Sequence, residues 1–262
     1  MQYPIGIFDS GIGGTSIWKA ITTLLPNEDT IYLADSYYAP YGKRSKDEIV
    51  ALSIKNTEKL IALGAKMIVV ACNTATTNAI EYLRTSYDVP FIGIEPAIKP
   101  AALRTKTKNI GILATKGTLS SDLFAKTSNK YSDTINIHEI TGSGLVELIE
   151  EGSINSPEME VLLHSYTDSF IEKNIDCLVL GCTHYPYLIP QLKKLLPDHI
   201  DIIDSGEAVA RQTKTILNEH TLLSKSASFE RNYQFYTNGK VEPLTQVLTA
   251  YTNKVTIEYM NF

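Results

Sequence analysis

MIVVACNTAT (67–76) and CLVLGCTHYP (177–186) are the two stretches from which the rest of the chain can be read. Each opens with a short apolar run, which predicts a buried strand. Each then passes directly into a cysteine followed by polar side chains. Upstream of the first stands IGIFDSGIGGTS (5–16), and upstream of the second IGILATKGTLSS (110–121), each a predicted strand followed by a Gly/Ser/Thr turn. Sixty-six positions separate Gly6 from Cys72, and seventy-one separate Gly111 from Cys182. The same order at similar spacing predicts two related α/β halves.

The segments around these stretches fit that plan. Strands are expected at Ile5–Phe8, Thr30–Ala34, Lys66–Ala71, Phe91–Ile94, Ile110–Ala114, Asp176–Leu180, Ile200–Ile203, Tyr233–Tyr236 and Val255–Tyr259. Helix-period stretches lie between most of them. One helix runs over Thr15–Leu25, closed by Pro26. A second starts at the capping box Ser45/Glu48 and ends near Gly64. A third is opened by Ser156 and Pro157, and a fourth lies near Pro190–Leu196. Strand-then-helix order implies parallel sheets covered by helices on both faces.

Composition excludes several classes. The chain has 262 residues, 44% hydrophobic and 20% charged, which suits one large α/β domain or two ordinary ones. Net charge is −5, so nucleic acid is not expected as the main partner. The longest apolar run, Met67–Cys72, falls far short of the ~20 residues needed to cross a membrane. The N-terminal MQYPIGIFDSG lacks a signal-like basic start and apolar run, so a cytoplasmic location is expected. Cys72, Cys177 and Cys182 are too few for a disulfide framework and are read as thiols.

Ligands of open α/β sheets bind at the carboxyl ends of the strands. Those ends carry Asp9-Ser10, Cys72-Asn73-Thr74, Thr115 with Gly117-Thr118, and Cys182-Thr183-His184. If the halves face each other, the two cysteines enter one cleft from opposite sides. Inverting a carbon centre by proton transfer needs a base on one face and an acid on the other. Cysteine serves as either, once its pKa is tuned by a neighbouring carboxylate or imidazole. Asp9 is placed to serve Cys72, and His184 to serve Cys182. Hydroxyl and amide groups of Ser10, Asn73, Thr74, Thr118 and Thr183 suit a small zwitterion, and helix N-termini after these turns favour a carboxylate.

Other readings compete. A single cysteine at a strand end is usually a small buried hydrophobe, which is the reading kept for Cys177. His138, His164, His199 and His220 read as structural. Cys182 and His184 lack a second ligand pair, so no metal site is expected. Tyr41-Gly42 reads equally as a surface turn, and Glu150-Glu151 as a solvated helix end. The Gly11, Gly13, Gly14 turn resembles a dinucleotide loop, yet Ser16 stands where its third glycine or alanine belongs, and Asp9 would face a pyrophosphate. A non-catalytic binding protein for a small acid would use the same polar strand ends.

Four segments together resemble the glutamate racemase family: FDSGIGG (Phe8–Gly14), APYG (Ala39–Gly42), ACNTAT (Ala71–Thr76) and GCTHYP (Gly181–Pro186). Their order and spacing match the family over essentially the whole chain. The sister aspartate racemases share two opposed cysteines and remain an alternative. The resemblance implies an α/β fold of two pseudo-symmetric, doubly wound parallel-sheet domains with the active site between them. One domain would be 1–96 with 209–262, the other 97–208. It implies interconversion of L- and D-glutamate without cofactor or metal, supplying D-glutamate for peptidoglycan. Cys72 would act on the D-isomer and Cys182 on the L-isomer, with Asp9 and His184 beside them. Ser10, Tyr41, Gly42, Asn73, Thr74, Thr183, Asp9 and His184 match substrate-contacting positions. Glu151 matches a family glutamate near the second cysteine, with Glu150 adjacent. A homodimer is a further expectation.

Overall fold

The computed structural model describes residues 3–224 and 232–262. Among these residues ten strands form two sheets. The strands are β1 (Ile5–Asp9), β2 (Thr30–Ala34), β3 (Met67–Val70), β4 (Phe91–Gly93), β5 (Asn109–Ala114), β6 (Asn136–Thr141), β7 (Cys177–Gly181), β8 (Asp201–Ile203), β9 (Tyr233–Thr237) and β10 (Val255–Tyr259). Between them run α1 (Thr15–Leu24), α2 (Lys46–Ala62), α3 (Asn73–Ser86), α4 (Ile98–Arg104), α5 (Lys116–Leu119) and α6 (Asp122–Asn129). Then follow α7 (Leu145–Glu150), α8 (Pro157–Glu172), α9 (Ile189–Leu195), α10 (Gly206–Glu219) and α11 (Val241–Val247).

The first sheet has the order β10-β9-β2-β1-β3-β4 and the second β6-β5-β7-β8. Every pairing is parallel. The order β2-β1-β3-β4 therefore recurs as β6-β5-β7-β8, which is the repetition expected from the two matching stretches. Register sharpens the match. Gly6 pairs with Ile68 and Gly111 with Leu178, so each cysteine lies four residues beyond the partner of the equivalent glycine. The unequal spacing of the two halves is taken up in the connections, leaving the strands aligned.

Local chemistry explains most boundaries. Ser45 and Glu48 form the expected reciprocal capping box at the start of α2. Ser156 caps α8, with Pro157 in its first turn. The polar, half-exposed β6 (NIHEIT) carries no apolar run, and its strand was not expected from sequence. It forms because it pairs along the edge of the second sheet, where one neighbour suffices.

Three apolar clusters hold the layers. One, with Phe8, Leu33, Ile68 and Val70, packs the first sheet against residues of α2 and α3. Another, with Ile110, Ile112, Val179 and Cys177, packs the second sheet against α4 and α6. Cys177 is thus a core residue, as its bland reading had it. The third and largest runs from Ile7 and Val69 to Leu178 and Leu180, joining the inner faces of both halves. Trp18 lies fully buried within it and meets Tyr233, Phe235 and Tyr251 edge-on. Such pairs add about 0.5–1.5 kcal/mol each beyond area burial, and they tie β9 and the turn before β10 to α1.

Candidate active site

The carboxyl ends of β1 and β3 meet those of β5 and β7 across the junction of the halves. Asp9 ends β1 and is fully buried. Its Oδ2 accepts the N–H groups of Gly11 (3.1 Å) and Gly14 (3.0 Å), and its Oδ1 accepts the Thr183 hydroxyl of the other half (3.1 Å). Burial raises its pKa, the positive His184 and the Gly14 N–H pull it back, and Glu150 pushes it further up.

Cys72 caps α3, its sulfur accepting the Ala75 N–H at 3.4 Å. The thiol is pushed far above its ordinary range, chiefly by burial, then by the charge of Asp9. The Ala75 N–H opposes that shift, Cys182 adds to it, and the Ser10 hydroxyl opposes it. Cys72 therefore rests as a protonated thiol. The next residue, Asn73, is 3% exposed, and neither its amide oxygen nor its nitrogen has a partner within the protein. A buried amide with nothing to bond is costly unless a ligand completes it. Thr74 reaches across the junction, its hydroxyl 2.7 Å from that of Thr115 and 3.2 Å from that of Thr118.

Cys182 leaves β7 in the equivalent place. His184 Nδ1 lies 3.7 Å from its sulfur, and Nε2 lies 2.5 Å from Glu150 Oε1. Burial alone would lower the His184 pKa, but its contacts with Cys182 and Glu150 outweigh this and hold it well above the ordinary value. His184 thus carries its proton between the Glu150 carboxylate and the Cys182 sulfur. Gly13 N also lies 3.3 Å from Nε2. With Nε2 protonated toward Glu150, that approach is a close contact and not a donated bond.

The glycine turn now has a physical reason. A Cβ on Gly11 would lie 1.9 Å from Glu150 Oε1, and one on Gly13 would lie 2.2 Å from His184 Nδ1. At Gly11 and Gly13 the His184–Glu150 pair packs directly on the backbone of the turn, and at Gly14 a Cβ would lie 2.7 Å from both Asp9 Cβ and the Tyr32 hydroxyl. Where the dinucleotide reading would put a pyrophosphate, these two side chains already sit.

One expectation needs correction. Glu151 is exposed and only ends α7. It is Glu150 that accepts the Ile12 N–H (2.7 Å), the Ser36 hydroxyl (3.1 Å) and the His184 contact. One helical position rotates a side chain by about 100°: Glu150 turns to His184, while the exposed Glu151 reaches only the wall of a cavity that flanks the junction. Tyr41 is buried, but its hydroxyl bonds to Asp35 and sits 3.0 Å from Asn56 Nδ2. What it can offer a ligand is its backbone, beside Gly42. Gly42 itself is pressed against the second half, since a Cβ there would lie 2.7 Å from Thr115. Ser10, Asn73, Thr74, Thr118, Thr183, Asp9 and His184 all gather at the junction. Thr115 joins them without having been singled out, although its place at a strand end was legible.

Both catalytic candidates are nearly enclosed, Cys72 at 5% and Cys182 at 7% exposure. Two cavities flank the junction, of about 50 and 410 Å³, and share Pro40 and Glu147 in their walls. An ion pair between Lys43 and Glu147 spans the halves there.

A family model described as Asp/Glu/hydantoin racemase matches residues 10–213. A glutamate racemase from Ectopseudomonas mendocina is 42% identical over 248 residues, 94% of each chain. One from Roseiflexus is 44% identical over 84% of this chain and 81% of its own. Among solved structures, a glutamate racemase isoform from Bacillus anthracis superposes with a TM-score of 0.88 at 29% identity, covering 99% of this chain and 98% of that one. The Escherichia coli glutamate racemase, solved with L-glutamate and the activator UDP-MurNAc-ala, gives 0.86 at 31% identity, covering 98% of each. An aspartate racemase from Picrophilus torridus gives 0.54 at 22% identity over 84% of this chain and 99% of its own, a likeness of fold alone. Among the described residues no helix is long and apolar enough to cross a membrane.

Proposed function

Because this chain belongs to the Asp/Glu/hydantoin racemase family, we propose that it interconverts L- and D-glutamate by proton transfer between Cys72, Cys182 and the α-carbon. The observation that carries the reading is the duplicated strand end: two buried thiols, one per half, each with its own proton-holding neighbours. Asp9 stands beside Cys72, and the Glu150–His184 pair stands behind Cys182.

Glutamate enters the junction. Its carboxylates are held by the Thr74, Thr118 and Thr183 hydroxyls, by the Asn73 amide and by backbone N–H groups at the start of α3 and at Tyr41-Gly42. Asp9 and Ser10 complete the contacts. One cysteine, as thiolate, removes the α-proton, while the other, as thiol, delivers a proton to the opposite face. For D-glutamate the base is Cys72; for L-glutamate it is Cys182. With no electron sink, stabilisation of carbanion character rests on orientation and on fixed donors in a dry cleft. His184 passes a proton to and from Cys182, and Asp9, its pKa raised, does so for Cys72.

The product D-glutamate feeds peptidoglycan synthesis in the cytoplasm. Two domains, 1–96 with 209–262 and 97–208, enclose the site; residues 1–2 and 225–231 of the first lie outside the described residues. No metal or cofactor takes part. A homodimer is tested separately by light scattering.

The decisive experiment incubates purified protein with L- or D-glutamate in deuterated water, with no added cofactor. Loss of optical rotation with deuterium at the α-carbon of product is expected. Folded protein that exchanges nothing on glutamate would refute the reading, and a binding protein would give that result.

A further inference from the structure

Asp35 is a fully buried carboxylate that the reaction does not use. It directly follows β2, and its backbone N–H donates to the carbonyl of Asp9 (3.0 Å), one strand away from the site. Its side chain gathers donors from three segments, at Tyr41, at Lys55-Asn56 and at Asn238. Oδ1 accepts from Lys55 Nζ (2.9 Å) and from Asn238 Nδ2. Oδ2 accepts from Asn56 Nδ2 (3.0 Å) and from the Tyr41 hydroxyl. The Tyr41 ring lies in the same apolar cluster as Cys72 and Phe8. The next residue, Gly42, leaves no room toward the second half: a Cβ on it would lie 2.7 Å from Thr115, and one on Gly117 would lie 3.1 Å from Gly42 Cα.

We propose that Asp35 is a positioning residue for substrate binding. Through the Tyr41 hydroxyl it sets the Tyr41-Gly42 backbone against the Thr74, Thr115 and Thr118 hydroxyls, where a substrate carboxylate binds. This rests on the racemase reading. A carboxylate is the group that suits the place, because all four facing groups donate and a carboxylate only accepts. Asparagine would turn an NH₂ toward at least one of those donors and release part of the cluster.

The test compares Asp35→Asn, Tyr41→Phe and the double variant, measuring kcat and KM in both directions together with melting temperature. Losing one charge-assisted hydrogen bond should raise KM by roughly tenfold or more, with kcat moving less than about threefold, as loss of uniform binding predicts. The double variant should be no worse than the worse single one, since both break one link. Multiplying effects, or lowered melting with KM and kcat unchanged, would overturn the proposal and leave Asp35 structural. Should Asp35→Asn not fold, Tyr41→Phe decides alone, and an unchanged KM there overturns it. Wild-type protein inactive on glutamate refutes instead the racemase reading.

Discussion

Replacing Glu150 by glutamine isolates the proton relay behind Cys182. The side chain keeps its shape, and its amide oxygen can still accept the Ile12 N–H that Glu150 Oε1 accepts at 2.7 Å. What disappears is the negative charge 2.5 Å from His184 Nε2, in a pair where the histidine is 1% and the glutamate 14% exposed. A hydrogen bond to a charged group contributes about 1.5–3 kcal/mol. One pKa unit corresponds to about 1.4 kcal/mol. The His184 pKa, held above its ordinary value in the native protein by its contacts with Cys182 and Glu150, should therefore fall. The limb of the pH–rate profile governed by the His184–Cys182 pair should move to lower pH by the same amount. Above the shifted limb, kcat/KM should fall roughly ten- to a hundredfold. The two enantiomers have equal energies, so kcat/KM must fall by one common factor in both directions, while kcat alone is free to fall unequally. Circular dichroism of L- and D-glutamate turnover from acid to alkaline pH measures all of this. Stability gives an independent readout. A raised folded-state histidine pKa adds stability that is fully present below the unfolded value near 6.5 and is lost as pH rises through the folded one. Glu150→Gln should flatten that dependence. Profiles of rate and stability that superimpose on those of the wild type would refute the relay.

Three further substitutions probe the same junction. Gly13→Ala places a Cβ 2.2 Å from His184 Nδ1; overpacking of about 1–3 kcal/mol should lower the melting temperature and depress kcat more than it raises KM. Asp9→Asn should cut kcat severely while holding or raising thermal stability. Burial keeps the Asp9 pKa above 3.8, so its ionisation costs stability as pH climbs from the unfolded to the folded value, and the amide escapes that cost. A clear fall in melting temperature at neutral pH would contradict this. Cys72→Ser and Cys182→Ser should each nearly abolish racemisation with unchanged far-ultraviolet circular dichroism, and turnover at wild-type rate in either would dismiss the two-base assignment.

The strands were legible where the local signal was strong. Thr30–Ala34 and Val255–Tyr259 match the structure residue for residue, because a short apolar or β-branched run bounded by polar residues has few other ways to bury itself. β6 was not, since an edge strand needs no apolar run. The site was legible as residue types at strand ends, but not in its orientation. Tyr41 was recognised as a site position, while the direction of its hydroxyl depends on Asp35, which no local pattern marks. Between Glu150 and Glu151 the sequence offers no choice. The choice is made by the rotational phase of α7, set where Leu145, Val146, Leu148 and Ile149 enter the core.

The amino-acid sequence by itself determined two repeated halves of alternating strand and helix, each delivering a cysteine at the end of a buried apolar strand. Apolar runs, caps and turn residues act over a few positions, so they can be read without knowing the fold. Only the tertiary structure decided which side chains meet. Asp9 and Thr183, or Gly13 and His184, are more than 170 residues apart in the chain. Their contacts arise from how two sheets settle on one continuous apolar core, and that packing is a property of the whole chain and not of any segment within it.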